Sequence, residues 1–169
     1  WAIDRDGRVH CDGCTEEQLT AVRSIEPLQT ITVNGWSALV TDPDGNVQHV
    51  YRGKVERPAV PPNPLQLEAL SDSAFCARYA DPLLCWGYSS YGQHGQGSKD
   101  RVEPADDNVL MRGSRGVARG DYHACAIRAN GRVFCWGEQP FDDHGVFGRP
   151  GRGHARSEVP SVHDAVAIA

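Results

Sequence analysis

"CAIRANGRVFCWG" (residues 125–137) places two cysteines ten apart, with Asn-Gly midway between them and Trp-Gly at the end. Apolar and polar residues alternate on both arms. Asn-Gly between alternating arms is the strongest short-range signal of a β-hairpin. With Ala129-Asn130-Gly131 as the loop, Ile127 faces Val133 and Cys125 faces Cys135. Directly opposed Cα atoms lie about 4.5–5.5 Å apart, within disulfide range. A disulfide is therefore expected to staple this hairpin and to stabilise it by about 2–3 kcal/mol. The alternative is two buried free thiols.

The stretch recurs. "WAIDRDGRVHCDG" (1–13) puts Asp6-Gly7 where Asn130-Gly131 stands, and "LVTDPDGNVQHVY" (39–51) puts Asp44-Gly45 there. "CARYADPLLCWG" (76–87) has Asp81-Pro82 in a shorter turn that opposes Cys76 to Cys85. "CWGYSSYGQHGQG" (85–97) parallels "CWGEQPFDDHGVFG" (135–148), and "LEALSDSAFCAR" (67–78) parallels "GVARGDYHACAI" (116–127). Internal self-similarity with a period of about 40–50 residues, several short strands per unit and Trp-Gly signatures marks propeller blades. Four units are expected: 1–27, 28–64, 65–113 and 114–160. The last stretch, 161–169 ("SVHDAVAIA"), reads as the strand that precedes a hairpin, and the first unit lacks such a strand. Pairing of the C-terminal strand with the N-terminal hairpin is the expected closure of the ring, which would remove free sheet edges.

The totals agree with an all-β chain. In 169 residues there are 18 glycines and 11 prolines, and the apolar runs are short. The one helix candidate is Thr15 to Ser24, with Thr15 as cap and Glu16 and Glu17 at the positive end. A net charge of −5 gives no electrostatic case for nucleic-acid binding. No apolar run has the length of a membrane span. The chain begins at Trp1, so a processed or trimmed N-terminus is expected and no targeting signal is legible. Six cysteines, an even number, point to an oxidising compartment. The expected location is secreted, periplasmic or cell-surface.

Gly120-Asp-Tyr-His123-Ala-Cys125-Ala-Ile127, followed by Asn130-Gly131-Arg-Val133-Phe-Cys135-Trp136-Gly137, resembles the blade repeat of the regulator of chromosome condensation family. Residues 115–148 carry the resemblance well, 67–97 clearly, and 1–20 and 28–53 in degenerate form. The cysteine-bearing version is similar to repeats of exported bacterial proteins. Two features depart from the family pattern. His94 and His144 replace the leucine of its Gly-Gln-Leu-Gly segment, and four units stand where the family usually has seven blades. A four-bladed ring, a piece of a larger ring, and a homodimer exchanging half-blades all fit that count. The resemblance implies that His123 bonds the backbone of a neighbouring blade.

Cys11 has no cysteine opposite it, since the register places Trp1 there, and Cys14 follows three residues on. "CDGC" (11–14) is read as a small disulfide ring, with a redox pair or half of a metal site as alternatives. His94 and His144 precede glycines in matching loops. They are either ligand contacts on one face or occupants of an inherited packing position. Asp142-Asp143 beside His144 is an acid pair that a solvated loop explains equally well.

No nucleophile elbow, phosphate loop or zinc-protease motif is present, so no catalytic residue, cofactor or metal is expected. Arg112, Arg115 and Arg119, with the Gly/Arg-rich stretch 149–158, read as a mobile basic loop, and 55–66 as a proline-rich connection between units. Function is expected in loops held on a rigid ring: a non-catalytic binding or scaffold module for a protein partner. The aromatic anchors would be Trp36, Tyr88, Tyr91, Tyr122 and Phe141. The family's exchange factor implies a GTPase partner, against which the paired cysteines argue. A relative that inhibits β-lactamase supports an enzyme-inhibitor alternative, and a metal- or carbohydrate-binding propeller is the third.

Overall fold

The computed structural model describes residues 1–88, 90–97, 100–103, 109–138 and 156–168. Within them the chain is all-β apart from one helix. A two-stranded hairpin, β1 (Ala2–Ile3) and β2 (Val9–His10), comes first, followed by helix α1 (Glu16–Arg23). Three four-stranded antiparallel sheets follow. The second unit contains β3 (Thr30–Asn34), β4 (Ser37–Thr41), β5 (Val47–Tyr51) and β6 (Lys54–Glu56). The third contains β7 (Gln66–Ala69), β8 (Ala74–Arg78), β9 (Leu83–Gly87) and β10 (Val109–Met111). The fourth contains β11 (Ser114–Arg119), β12 (His123–Arg128), β13 (Val133–Gly137) and β14 (Ser157–Glu158).

Each sheet is an up-and-down meander, as its turns dictate. In the last hairpin Ile127 pairs with Val133 and Cys125 with Cys135, the register that the Asn-Gly turn requires. Cys76 pairs with Cys85 and Leu39 with His49. Helix α1 begins where Thr15 caps it. The Thr15 hydroxyl accepts from the Gln18 amide, and the Gln18 side chain accepts from the Thr15 amide, a reciprocal capping box.

The first strands β3, β7 and β11 are neighbours. Gln66 joins two of them, donating to the Val117 carbonyl at 2.6 Å and accepting from the Val117 amide at 3.3 Å. The core lies in layers between successive sheets. Val9, Val22 and Leu28 meet Val40 and Val50 in the first layer. Leu39 and Val47 meet Phe75 and Trp86 in the second, and Leu70 and Leu110 meet Trp136 in the third. Each tryptophan of the Trp-Gly pairs thus faces the preceding sheet, and Trp136 also donates its indole N–H to the Gln93 carbonyl at 2.5 Å.

The glycine after each tryptophan serves its own sheet. Gly87 (φ +103°) lies against the Ser73 carbonyl, and a Cβ on Gly137 (φ +98°) would stand 2.5 Å from the Tyr122 oxygen. Both are places where only glycine fits.

The C-terminal stretch departs from expectation. Residues 164–168 form no strand and do not extend the N-terminal hairpin, which has two strands. Val162, Ala165 and Ile168 instead cover Ile127, Val133, Cys135 and Val159 on the outer face of the last sheet. That face is apolar and adjoining, and among the described residues no further sheet covers it, so burying it is the local gain available. Among the described residues no sheet joins the two ends of the array.

Candidate functional site

In every sheet the turn between strands one and two, and the exit from strand three, fall at the same end. The expected aromatic anchors converge there. Trp36 occupies the β3–β4 turn, Tyr122 precedes β12, and Tyr88 and Tyr91 follow β9. All are open to solvent, at 47%, 51%, 52% and 38% exposure respectively. Tyr91 of the third unit and Tyr122 of the fourth touch, with ring centroids 4.7 Å apart. Trp36 is held by its backbone, whose N–H donates to Asp72 of the neighbouring turn at 3.2 Å. Phe141, His144, Asp142 and Asp143 lie outside the described residues, as does 149–155 of the basic stretch.

Of the two readings of His94, contact residue or inherited packing position, its burial fits the second. The residue is 0% exposed. Its Nε2 lies 2.9 Å from the Asp100 carbonyl, and its Nδ1 accepts from the Gln96 amide at 3.2 Å. Both ring nitrogens are engaged by loop backbone, at Gln96 and Asp100. His123 packs its ring over Gly120 in its own turn. Among the described residues that ring makes no hydrogen bond to another unit. Arg112 pairs with Asp81 and Arg119 with Glu68, so two of the three nearby arginines are already engaged.

The sulfurs meet in three pairs. Cys125–Cys135 and Cys76–Cys85 have Cα separations of 4.0 and 4.1 Å, and Cys11–Cys14 has 6.0 Å. Cys76 and Cys85 are buried between sheets, whereas Cys11 and Cys14 are half-exposed. Among the described residues no three of His, Cys, Asp and Glu gather as a metal site would require. No described helix is long and apolar enough to cross a membrane.

Sequence reasoning missed a cleft of about 470 Å³ between the second and third sheets. His49, Phe75 and Trp86 form its aromatic floor, and Tyr51 and Tyr88 flank it. His49 Nε2 lies 2.7 Å from the Ser37 hydroxyl, and its Nδ1 lies 3.8 Å from Glu56 Oε2. The set has the residue types of a nucleophile, a base and an orienting acid. Ser37, however, is buried and does not line the cleft, so no substrate carbonyl reaches its oxygen. The hydroxyl positions the imidazole instead. Burial pushes His49 below the ordinary histidine range, with Glu56 opposing and Arg101 adding to the shift. The hairpin register sets His49 opposite Leu39.

The family model described as the regulator of chromosome condensation (RCC1) repeat matches residues 115–141. The matched segment contains β11, β12 and β13, and its likeness is to that repeat. The other two four-stranded sheets repeat its meander without matching that model. No curated protein matches the chain as a sequence relative.

Solved structures share the fold. Human WBSCR16 is 16% identical with a TM-score of 0.55, over 79% of this chain and 38% of that one. Prp20p from Saccharomyces cerevisiae, described with its binding to Gsp1p and histones, is 16% identical with a TM-score of 0.50, over 83% and 39%. Yeast RCC1 (Prp20) bound to Kap60 gives the same identity and TM-score, over 83% and 38%. The chain thus spans about two fifths of the length of the solved structures it matches.

Proposed function

We propose that this chain is a non-catalytic protein-binding module whose contact surface is the aromatic end of its sheets. The Tyr91–Tyr122 pair carries the reading. Two exposed rings in mutual contact bridge adjacent units without belonging to either core, and Trp36 and Tyr88 lie at the same end. Clustered exposed aromatics on a rigid scaffold are the usual anchors of protein recognition. The solved neighbours that share the fold are described with protein partners, namely Gsp1p, histones and Kap60, which supports a binding role for the architecture. The three cysteine pairs support residence in an oxidising compartment.

The test is site-specific photo-crosslinking. A benzophenone amino acid is placed at Tyr122, and in a second variant at Asn130 on the opposite end. Each full chain is then exposed to the source organism's extracytoplasmic protein fraction. The reading expects discrete protein adducts from position 122 that Tyr91→Ala suppresses, and none from position 130. Adducts equally abundant at both ends, or none at 122, overturn it.

A further inference from the structure

We propose that the open edge of β6 is a contact between two copies of this chain, which pair antiparallel about Val55. The inference is independent of the aromatic end and of any partner bound there.

The backbone carries the first half of the argument. Strand β6 is the last of its sheet, and all three of its residues are exposed. The two-residue turn Arg52-Gly53, with both φ values positive, makes Tyr51 and Lys54 a hydrogen-bonded pair. Such pairs alternate along an antiparallel ladder. Val55, opposite Val50, therefore turns its N–H and C=O away from β5, whereas Lys54 and Glu56 turn theirs toward it. A two-fold axis normal to the sheet satisfies this edge. Each Val55 then donates to the other's carbonyl and accepts from the other's amide.

The side chains name the partner. Lys54 and Glu56 share one face of the strand, and Val55 takes the other. About the two-fold axis, Lys54 stands opposite Glu56 of the second copy, and Glu56 opposite its Lys54. These are non-hydrogen-bonded positions, where facing side chains come closest and opposite charges are favourable. On the other face Val55, 37% exposed, meets its own copy. Neither charge is spent within the chain. Lys54 forms no ion pair among the described residues. The Glu56 side chain is 66% exposed and faces only His49, at 3.8 Å, an imidazole that burial holds toward its neutral form.

An edge with one acid and one base on the same face favours neither an acidic nor a basic ligand, but it complements itself. Parallel pairing in register would set Lys54 on Lys54 and Glu56 on Glu56, which is unfavourable. A slipped register would take Val55 away from Val55, and with it the one set of free backbone groups. Short charged edges resist most strands; here the same charges admit one. Arg57 would face Gly53, which carries no charge to repel it. Unlike an exchange of half-blades, the contact leaves the sheets of each chain intact and adds strand to strand.

The experiment is sedimentation velocity of the full chain from about 1 μM to about 1 mM, the range in which a contact this small is populated. Wild type is expected to pass from monomer to dimer as concentration rises. K54E and E56K each turn both attractive pairs into like-charged ones and are expected to weaken dimerisation by about tenfold or more. K54E/E56K restores opposite signs with the roles exchanged and is expected to dimerise as wild type does. An equimolar mixture of K54E with E56K is expected to form dimers that neither variant forms alone. Hydrogen exchange reads the same contact without substitution, since the Val55 amide should be protected at high concentration and unprotected at low.

A wild-type chain that stays monomeric throughout overturns the proposal, as does a Val55 amide whose exchange ignores concentration. A dimer indifferent to K54E and E56K is held elsewhere and overturns it too. So does failure of K54E/E56K, or of the mixture, to recover association while each variant keeps the near-UV circular dichroism of wild type.

Discussion

The Ala165 amide donates to the Gly131 carbonyl at 3.0 Å, tying the C-terminal stretch to the turn of the last hairpin. The same bond occurs twice earlier in the chain. The Leu28 amide donates to Gly7, and the Asn63 amide to Gly45, each at 2.8 Å. Leu28 and Asn63 lie just before the first strands of the next sheets, β3 and β7. Residues 162–168 therefore follow the path of an inter-sheet connection, and they cover the apolar face that such a connection crosses.

That contact is testable at Gly131. A Cβ there would stand 2.6 Å from the His163 carbonyl, at φ +78°. G131A is expected to cost about 1–3 kcal/mol in urea unfolding. Hydrogen exchange should show residues 162–168 losing protection while the amides shared by β12 and β13 keep theirs. Unchanged protection at 162–168 would mean that the turn does not hold the segment.

The Trp-Gly pairs make a second prediction by contrast. Gly137 and Gly113 both have positive φ, but a Cβ on Gly137 meets the Tyr122 carbonyl at 2.5 Å, whereas one on Gly113 has nothing closer than Ala129 at 3.9 Å. Both alanine variants bear the backbone strain, and only one adds a collision with backbone. G113A is expected to lose about 1 kcal/mol and G137A about 2–3 kcal/mol, read as the difference in urea midpoints.

These contrasts show what the sequence could carry. Hairpin register was legible because Asn130-Gly131 and the paired cysteines fix it locally, and α1 was legible because Thr15 can cap and Glu16 and Glu17 follow it at the positive end. The His49 cleft was not, since it exists only through the stacking of two sheets whose contacts are remote in the chain. His94 stands where the repeat has leucine, which left burial as one of two readings, and the backbone of Asp100 and Gln96 that its ring bonds could not be read from that position. The C-terminal stretch reads as a strand from its apolar residues, but Val162, Ala165 and Ile168 are spaced by three, which no single strand face holds, and packing on the last sheet decided its form.

The cysteine pairs differ in access, and reduction should separate them. Cys76 and Cys85 lie sealed in the core between sheets, while Cys11 and Cys14 sit half-exposed ahead of α1. Intact-mass analysis of the native chain is expected to show no free thiols. Mild reductant with alkylation should then label Cys11 and Cys14 first. The double variant C125A/C135A should lose about 2–3 kcal/mol, the value for closing a loop of this length. Early labelling at Cys76 would contradict the packing of the third sheet.

His49 links stability to pH, with a definite sign. Burial holds its folded pKa below 6.5, while the unfolded chain takes up the proton at the ordinary value. The unfolded state therefore binds more protons as the pH falls, and stability drops with it. The contribution is complete above 6.5 and is lost as the pH descends from there through the lower folded value. Glu68, whose carboxyl burial pushes up from 4.5 against the pull of Arg119, acts in the opposite sense in a more acidic range, so the raw acid limb mixes the two. The clean quantity is the Tm difference between wild type and H49Q, which lacks the titration but retains a hydrogen-bonding amide for Ser37. That difference is expected to favour wild type most above about pH 7 and to shrink steadily toward about pH 5. A constant difference across this window would show that the imidazole is solvated in the folded chain and that the cleft floor is open to water.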